Sequence, residues 1–162
     1  LNIIEKLIRV KPGIKFSSDF IIGYPGETDK DFKKTIQLMK KIKYINSFSF
    51  IFSARPGTPA SSLPKLDDEE AKSRLIEFQK NADIIKINYR EKLLNKTVGV
   101  LFENKMKSGN RYFGRDEFFN SVIVESGVDL TGKIKKVKIL DGNINSLFGE
   151  INSNIDKTNY AA

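Results

Sequence analysis

An α/β unit followed by an all-β unit is the fold class predicted for this chain, on three observations. Over residues 1–66, apolar residues at helical spacing alternate twice with short strand-like runs. A narrow apolar seam then runs from residue 67 to about residue 93, and after Asn95 the pattern turns into short strands separated by turn residues. The expected organisation is therefore an α/β part over 1–66, a long connecting helix over 67–94, a small five-stranded β-barrel over 95–151 and a polar, aperiodic tail over 152–162, expected to be disordered.

Taken in order, Ile3, Ile4, Leu7 and Ile8 share one stripe of a helix over 2–9, which Lys11-Pro12-Gly13 stops. Lys15 to Ile22 follows as a strand ending in Phe20-Ile21-Ile22, broken by Gly23-Tyr24-Pro25-Gly26-Glu27. Thr28, with Asp31 three residues on, suits a helix N-terminus, and Phe32, Ile36, Met39 and Ile42 carry that helix to near Lys43. Ser47 to Ser53 is a second strand, with Arg55-Pro56-Gly57-Thr58-Pro59 as the loop at its C-terminal end. Helix, strand, helix, strand makes a parallel α/β unit, too short to close a barrel by itself.

Asp67-Asp68-Glu69-Glu70 places carboxylates in the first turn of a third helix, where the macrodipole favours them. Ala71, Leu75, Phe78, Ala82, Ile85 and Tyr89 then step along one face. At 1.5 Å per residue that helix is roughly 40 Å long. Such a length suits a connector docked along a barrel wall, or one strand of an intermolecular coiled coil. The strands beyond it are Thr97 to Glu103, Tyr112 to Asp116, Phe119 to Glu125, Lys133 to Leu140 and Ser146 to Ile151. Lys107-Ser108-Gly109-Asn110, Ser126-Gly127 and Asp141-Gly142-Asn143 separate some of them, and the whole has the size of a closed or nearly closed barrel that binds single-stranded nucleic acid.

Composition narrows the chemistry. The chain has neither Cys nor His, which removes thiolate and imidazole ligands, disulfides and the common nucleophile–base pairs. A net charge of +8 fits a polyanionic partner or a basic, solvated surface. It is unevenly spread: residues 1–90 carry 17 basic and 11 acidic residues, and residues 91–151 carry 10 and 8, so charge does not single out the small barrel as a nucleic-acid site. The longest apolar runs are far shorter than the roughly 20 residues that cross a bilayer, so a cytoplasmic location and no membrane partner are expected. Leu1 begins the chain inside what reads as an amphipathic helix, so an upstream portion is expected.

Two segments could carry chemistry. A strand ending in Gly23-Tyr24-Pro25-Gly26 before a helix allows close backbone approach to a ligand, with unpaired amides at the helix start; it is also simply a tight strand-to-helix turn. Phe52-Ser53-Ala54-Arg55-Pro56-Gly57-Thr58-Pro59-Ala60 lies at the equivalent strand end, the edge where ligands bind in parallel α/β barrels. Arg55 reads there as an anion ligand or as a solvated loop charge.

In this order and separation the two segments resemble the tRNA methylthiotransferase family of radical S-adenosylmethionine (SAM) enzymes. Asp19-Phe20-Ile21-Ile22-Gly23-Tyr24-Pro25-Gly26-Glu27-Thr28 is similar to the family's Asp-Ile-Ile-Val-Gly-Phe-Pro-Gly-Glu-Thr segment. Ser53-Ala54-Arg55-Pro56-Gly57-Thr58-Pro59-Ala60 is similar to its Ser-Pro-Arg-Pro-Gly-Thr-Pro-Ala loop, with Ala54 in place of the usual Pro. The Arg-Pro form resembles the tRNA-modifying branch rather than the branch acting on a ribosomal protein. Leu94-Asn95-Lys96-Thr97-Val98, Phe113-Gly114-Arg115, Asn120-Ser121-Val122, Leu130-Thr131-Gly132-Lys133 and Asn145-Ser146-Leu147-Phe148-Gly149-Glu150 resemble successive parts of the family's RNA-binding TRAM barrel.

The resemblance implies the C-terminal βα units of a partial, TIM-like radical SAM barrel, a linking helix and a TRAM domain. It implies SAM and two 4Fe–4S clusters as cofactors of the whole enzyme, with the cluster ligands absent from this chain, so that the chain alone is expected to be inactive. Ile21, Gly23, Gly26, Glu27, Phe52 and Ser53 would flank SAM, Phe52 as a packing surface and Glu27 orienting its loop rather than acting as acid or base. No residue of the chain is expected to be catalytic or to bind metal. Lys96, Lys107, Arg111, Arg115 and Lys133, with Tyr112 or Phe113 stacking on bases, would hold the anticodon arm of tRNA. A monomer is expected. The implied reaction inserts a methylthio group at C2 of N6-isopentenyl-adenosine beside the anticodon; the sister activity on threonylcarbamoyl-adenosine and a non-catalytic RNA-binding adaptor are the alternatives.

Overall fold

The computed structural model describes residues 1–151, so the expected disorder of 152–162 falls outside the described residues. The chain divides into two compact units, Leu1–Lys86 and the part from Ile87 onward. Among the described residues no helix is long and apolar enough to cross a membrane.

The first unit runs α1 (Asn2–Val10), β1 (Ser17–Ile22), α2 (Asp29–Ile42), β2 (Asn46–Ile51), a short 3₁₀ turn (Pro59–Ser62) and α3 (Asp68–Glu91), whose last residues belong to the second unit. α2 starts where the sequence places it. The Asp31 amide donates to the Thr28 hydroxyl oxygen, and the Asp31 carboxylate takes the Thr28 amide in return. That carboxyl is held below its usual range, chiefly by the Thr28 hydroxyl, which donates to it at 2.6 Å. α2 ends at Lys43, whose φ of 58° turns the chain into the left-handed region.

β1 and β2 pair in parallel, from Ser17 opposite Asn46 to Ile22 opposite Ile51. One face of the pair is covered: Ile22, Phe32, Ile36, Met39 and Phe78 form the core, with Phe20, Tyr44, Leu75, Ala82 and Ile85 packed around it. The apolar seam of α3 lies against this core, inside the chain, rather than on a coiled-coil partner. The other face is open. Ile21, Phe48 and Phe50 are 60%, 57% and 59% exposed, and α1 has no buried residue.

The second unit is a closed five-stranded barrel of β3 (Thr97–Lys105), β4 (Arg111–Asp116), β5 (Ser121–Glu125), β6 (Ile134–Gly142) and β7 (Leu147–Ile151), in the order β3-β4-β5-β7-β6. Neighbours are antiparallel except β5 and β7, which run parallel. Val100, Phe102, Tyr112, Val122, Val124, Leu130, Val137, Ile139 and Leu147 fill the interior, the alternation expected of small barrels.

Closure depends on two similar corners. β3 has an irregular register between Phe102 and Asn104, across from Gly114, and β6 has one between Ile139 and Asp141, across from Gly149. A Cβ on Gly114 would lie 2.4 Å from the Leu101 carbonyl oxygen, and one on Gly149 would lie 2.4 Å from that of Lys138. At both corners a neighbouring backbone occupies the place of a side chain. The barrel strands start within one residue of the sequence reading except β5: Phe119 is not its first residue but part of the β4–β5 turn, because the Asp116 carboxylate takes the amides of Phe118 and Asn120 and curls the chain between them.

Replacing Gly149 with Ala forces the β6 backbone away from β7 and is expected to cost about 2 kcal/mol or more of stability. The check is chemical denaturation of the chain followed by near-ultraviolet circular dichroism; an unchanged midpoint would show that the corner tolerates a side chain.

Candidate cofactor loops and nucleic-acid surface

The parallel pairing of β1 and β2 brings the two sequence-predicted loops to one edge of the sheet. Each loop contains a Pro-Gly β-turn. In Tyr24-Pro25-Gly26-Glu27 the Glu27 amide donates to the Tyr24 carbonyl at 2.8 Å, and Gly26 has φ +84°. In Arg55-Pro56-Gly57-Thr58 the Thr58 amide donates to the Arg55 carbonyl at 3.2 Å, and Gly57 has φ +82°. Pro supplies the second residue of such a turn and Gly the positive φ of the third. Beyond the last ladder pair, the Phe52 amide donates to the Ile22 carbonyl at 2.8 Å, and the Tyr24 and Phe52 rings meet edge-on with centroids 5.1 Å apart.

The residues predicted for the cofactor therefore stand close together but in different environments. Ile21, Gly26 and Ser53 are exposed, Glu27 and Phe52 are partly buried, and Gly23 is buried. Gly23 (φ +73°) is needed for packing within the chain: a Cβ there would sit 3.1 Å from that of Ala71 on α3. Space is open at Gly26 instead, where an added Cβ would meet nothing within 4 Å. The Glu27 carboxylate is engaged on both oxygens, accepting from the Gly23 amide at 3.3 Å and from Arg74 at 2.7 Å.

The exposed apolar side chains of Ile21 and Phe50 at the strand ends, the Tyr24–Phe52 ring pair and the open Pro-Gly turn are the features of this edge that a ligand could meet. Iron–sulfur clusters do not fit this chain. It has no Cys, and among the described residues no cluster of His, Cys, Asp and Glu could hold a metal ion.

Arg74 is the site residue that sequence reasoning misses. Its side chain is 7% exposed and bridges Glu27, Asp29 and Glu70. A signal for it exists: Arg74 lies three residues after Ala71 and four before Phe78, on the buried stripe of α3, where a charge requires partners.

On the barrel, Arg115 and Phe113 come together: the guanidinium lies 5.3 Å from the ring centroid, and its Nε is 3.0 Å from Glu103. Arg111 donates to the Ser108 hydroxyl at 3.0 Å within the β3–β4 hairpin that also carries exposed Lys107. Lys133 donates to the Asp129 carbonyl at 2.8 Å, near the β6 start. Lys96, by contrast, precedes β3 at the opposite end of that strand from Lys107, on the order of 25 Å away by strand rise. Tyr112 points into the core and is 4% exposed, leaving Phe113 as the stacking candidate of the pair. Exposed Lys105 and Lys136 and half-buried Lys138, on β3 and β6, extend the basic surface beyond the residues singled out from sequence.

The β4–β5 turn adds an aromatic. Phe119 is 71% exposed at φ +61°, a conformation uncommon for a bulky residue. Buried Asp116 holds it there, accepting from the Phe118 and Asn120 amides at 2.9 Å each and from the Asn120 side chain at 2.8 Å.

The fold and the site define a modular protein: an α/β unit with paired ligand-type loops at one sheet edge, and a small closed β-barrel with basic and aromatic side chains outside. No family model matches the chain. It is 46% identical over 157 residues to the tRNA-2-methylthio-N(6)-dimethylallyladenosine synthase of Pelagibacter ubique (strain HTCC1062), covering 97% of this chain and 35% of that protein. Synthases of the same name from Wolbachia pipientis subsp. Culex pipiens (strain wPip) and Vibrio vulnificus (strain YJ016) are 41% and 44% identical over 152 residues, covering 92% and 93% of this chain. Over nearly its whole length the chain is similar to the synthases of this name. It spans about a third of the length of these relatives.

Replacing Asp116 with Ala leaves its three donors without an acceptor, and a loss of about 2–4 kcal/mol is expected. Thermal unfolding of the variant checks this; a change below about 0.5 kcal/mol would mean that the turn holds without the carboxylate.

Proposed function

We propose that this chain is the C-terminal portion of a tRNA methylthiotransferase that adds a methylthio group at C2 of N6-isopentenyl-adenosine beside the anticodon. Its first unit supplies two βα units of a radical SAM barrel, and its second is a TRAM domain that grips the anticodon arm. The observation that carries this reading is the 46% identity over nearly the whole chain to a synthase of that name, together with paired Pro-Gly loops at one parallel-sheet edge. The open apolar face of Ile21, Phe48 and Phe50 suits the inside of a larger barrel, whose other strands would cover it. The whole enzyme acts in the cytoplasm, where tRNA is modified.

Within this reading, Ile21, Tyr24, Gly26, Phe52 and Ser53 line the cofactor, with Gly23 and Glu27 shaping the loop behind them. SAM, when bound, supplies the radical chemistry on a cluster that other parts of the enzyme hold. The chain's own residues bind and orient it: Phe52 packs against its flat part and the Gly26 turn lets backbone approach closely. On the barrel, Arg111, Arg115, Lys107 and Lys133 pair with phosphates, and Phe113 and Phe119 stack on unpaired bases.

The test is an electrophoretic shift of the chain with anticodon stem-loop RNA over a salt series. Replacing Lys107 with Ala is expected to lower the magnitude of the salt slope by about one, and replacing Phe119 with Ala to weaken binding by about 1–3 kcal/mol with the slope unchanged. Binding that is absent, or insensitive to salt, would contradict the RNA assignment.

A further inference from the structure

We propose that Arg74, on α3, is a positioning residue for cofactor binding, its guanidinium latching the 23–28 loop in the shape that receives the ligand. The inference rests on the reading of that loop as part of the cofactor site. Both arms of the guanidinium are used. One nitrogen donates to the Glu27 backbone carbonyl at 3.0 Å and to its carboxylate at 2.7 Å; the other donates to Asp29 at 2.7 Å and to Glu70 on its own helix. Beneath it, the Phe32 ring centroid lies 5.6 Å away. The Glu27 oxygen not bonded to Arg74 accepts from the Gly23 amide, so one chain of bonds runs from α3 through Glu27 to the end of β1.

The second contact with α3 strengthens the case. Gly23 seats against Ala71, one helical turn before Arg74, so successive turns of α3 fix the two ends of the Pro-Gly turn. Arg74 and Glu27 are the buried pair, with Asp29 and Glu70 reaching the guanidinium from the surface; a buried ion pair adds little net stability, because removing its charges from water offsets most of their attraction, and its best-attested use is to select one geometry among several. One cation here faces three carboxylates, an arrangement suited to holding a particular backbone path. A loop free to leave that path binds ligand only in the fraction of molecules that still adopt it, and the apparent affinity falls by that fraction.

The substitution of choice is Arg74→Lys, which keeps the charge but cannot span Glu27 and Asp29 with a rigid fork. In the full-length enzyme it is compared with wild type and with Gly26→Val by equilibrium dialysis of SAM, amide exchange of residues 23–31, RNA binding and steady-state kinetics. For Arg74→Lys we expect exchange across 23–28 to quicken about tenfold and SAM affinity to fall about tenfold. KM for SAM should rise while kcat at saturating SAM stays within about twofold, and RNA affinity should be unchanged. A folded Arg74→Lys enzyme with wild-type loop exchange and SAM affinity overturns the proposal. If Gly26→Val weakens SAM binding and Arg74→Lys does not, the positioning role alone fails; if neither weakens it, the cofactor reading of the loop fails with it. Should Arg74→Lys not fold, Glu27→Gln, which keeps the side chain's shape but weakens the grip, is measured in the same way, and unchanged exchange and affinity overturn the proposal.

Discussion

The parallel pairing of β1 with β2 is the constraint on which the α/β half depends. Six consecutive register pairs, ending at Ile22 and Ile51, oblige the chain to leave both strands at the same edge. The Phe52 amide extends that ladder by one bond onto Ile22, which draws the second loop over the first and lets the Tyr24 and Phe52 rings meet. The two Pro-Gly turns then need only local chemistry: a Pro to fix one φ and a Gly to allow the next to be positive. α3 completes the arrangement from behind, with Ala71 against Gly23 and Arg74 against Glu27, while Phe78 closes the core below. Core packing and loop geometry thus share the same few residues, and a change at Gly23 or Arg74 acts on both.

The barrel solves a different problem. Five short strands close without a free edge because two glycines let strands cross more closely than any side chain would permit. With alternate residues committed to the interior, the outward set on β3, β4 and β6 is free to be basic and aromatic. The Asp116 carboxylate, buried with all three of its hydrogen bonds inside one turn, shows how a polar group in such a small core serves local shape. What it shapes is a turn that presents an aromatic ring to solvent, an unfavourable arrangement unless something covers the ring.

Much of this is legible in the sequence, and the exceptions have physical causes. Helix periodicity places α1, α2 and α3 within one or two residues, and the Thr28–Asp31 capping pair locates the start of α2. Strand periodicity finds every barrel strand, but not that β5 and β7 run parallel, since pairing order is a long-range property that no local pattern encodes. Phe119 reads as part of β5 because an aromatic beside Ser121-Val122 looks like strand; the Asp116 side chain overrides that propensity. Tyr112 and Phe113 are equivalent as neighbouring aromatics, and only the pleat separates the one inside from the one outside. The glycines of the first loop suggest close ligand approach. For Gly23 the close neighbour is Ala71, forty-eight positions further on, a contact invisible without the fold. The charge of Arg74 on an apolar helix face is the one readable clue to the latch behind the loop.

The activity proposed above is methylthio transfer to tRNA by the full-length enzyme. Mass spectrometry of nucleosides from tRNA of a strain lacking the gene, with and without the full-length gene restored, measures that at its source. N6-isopentenyl-adenosine is expected to accumulate without its 2-methylthio group, and restoring the gene is expected to return the methylthio form. Unchanged 2-methylthio-N6-isopentenyl-adenosine in the deletion strain, or loss of the methylthio group from threonylcarbamoyl-adenosine instead, would refute the claim.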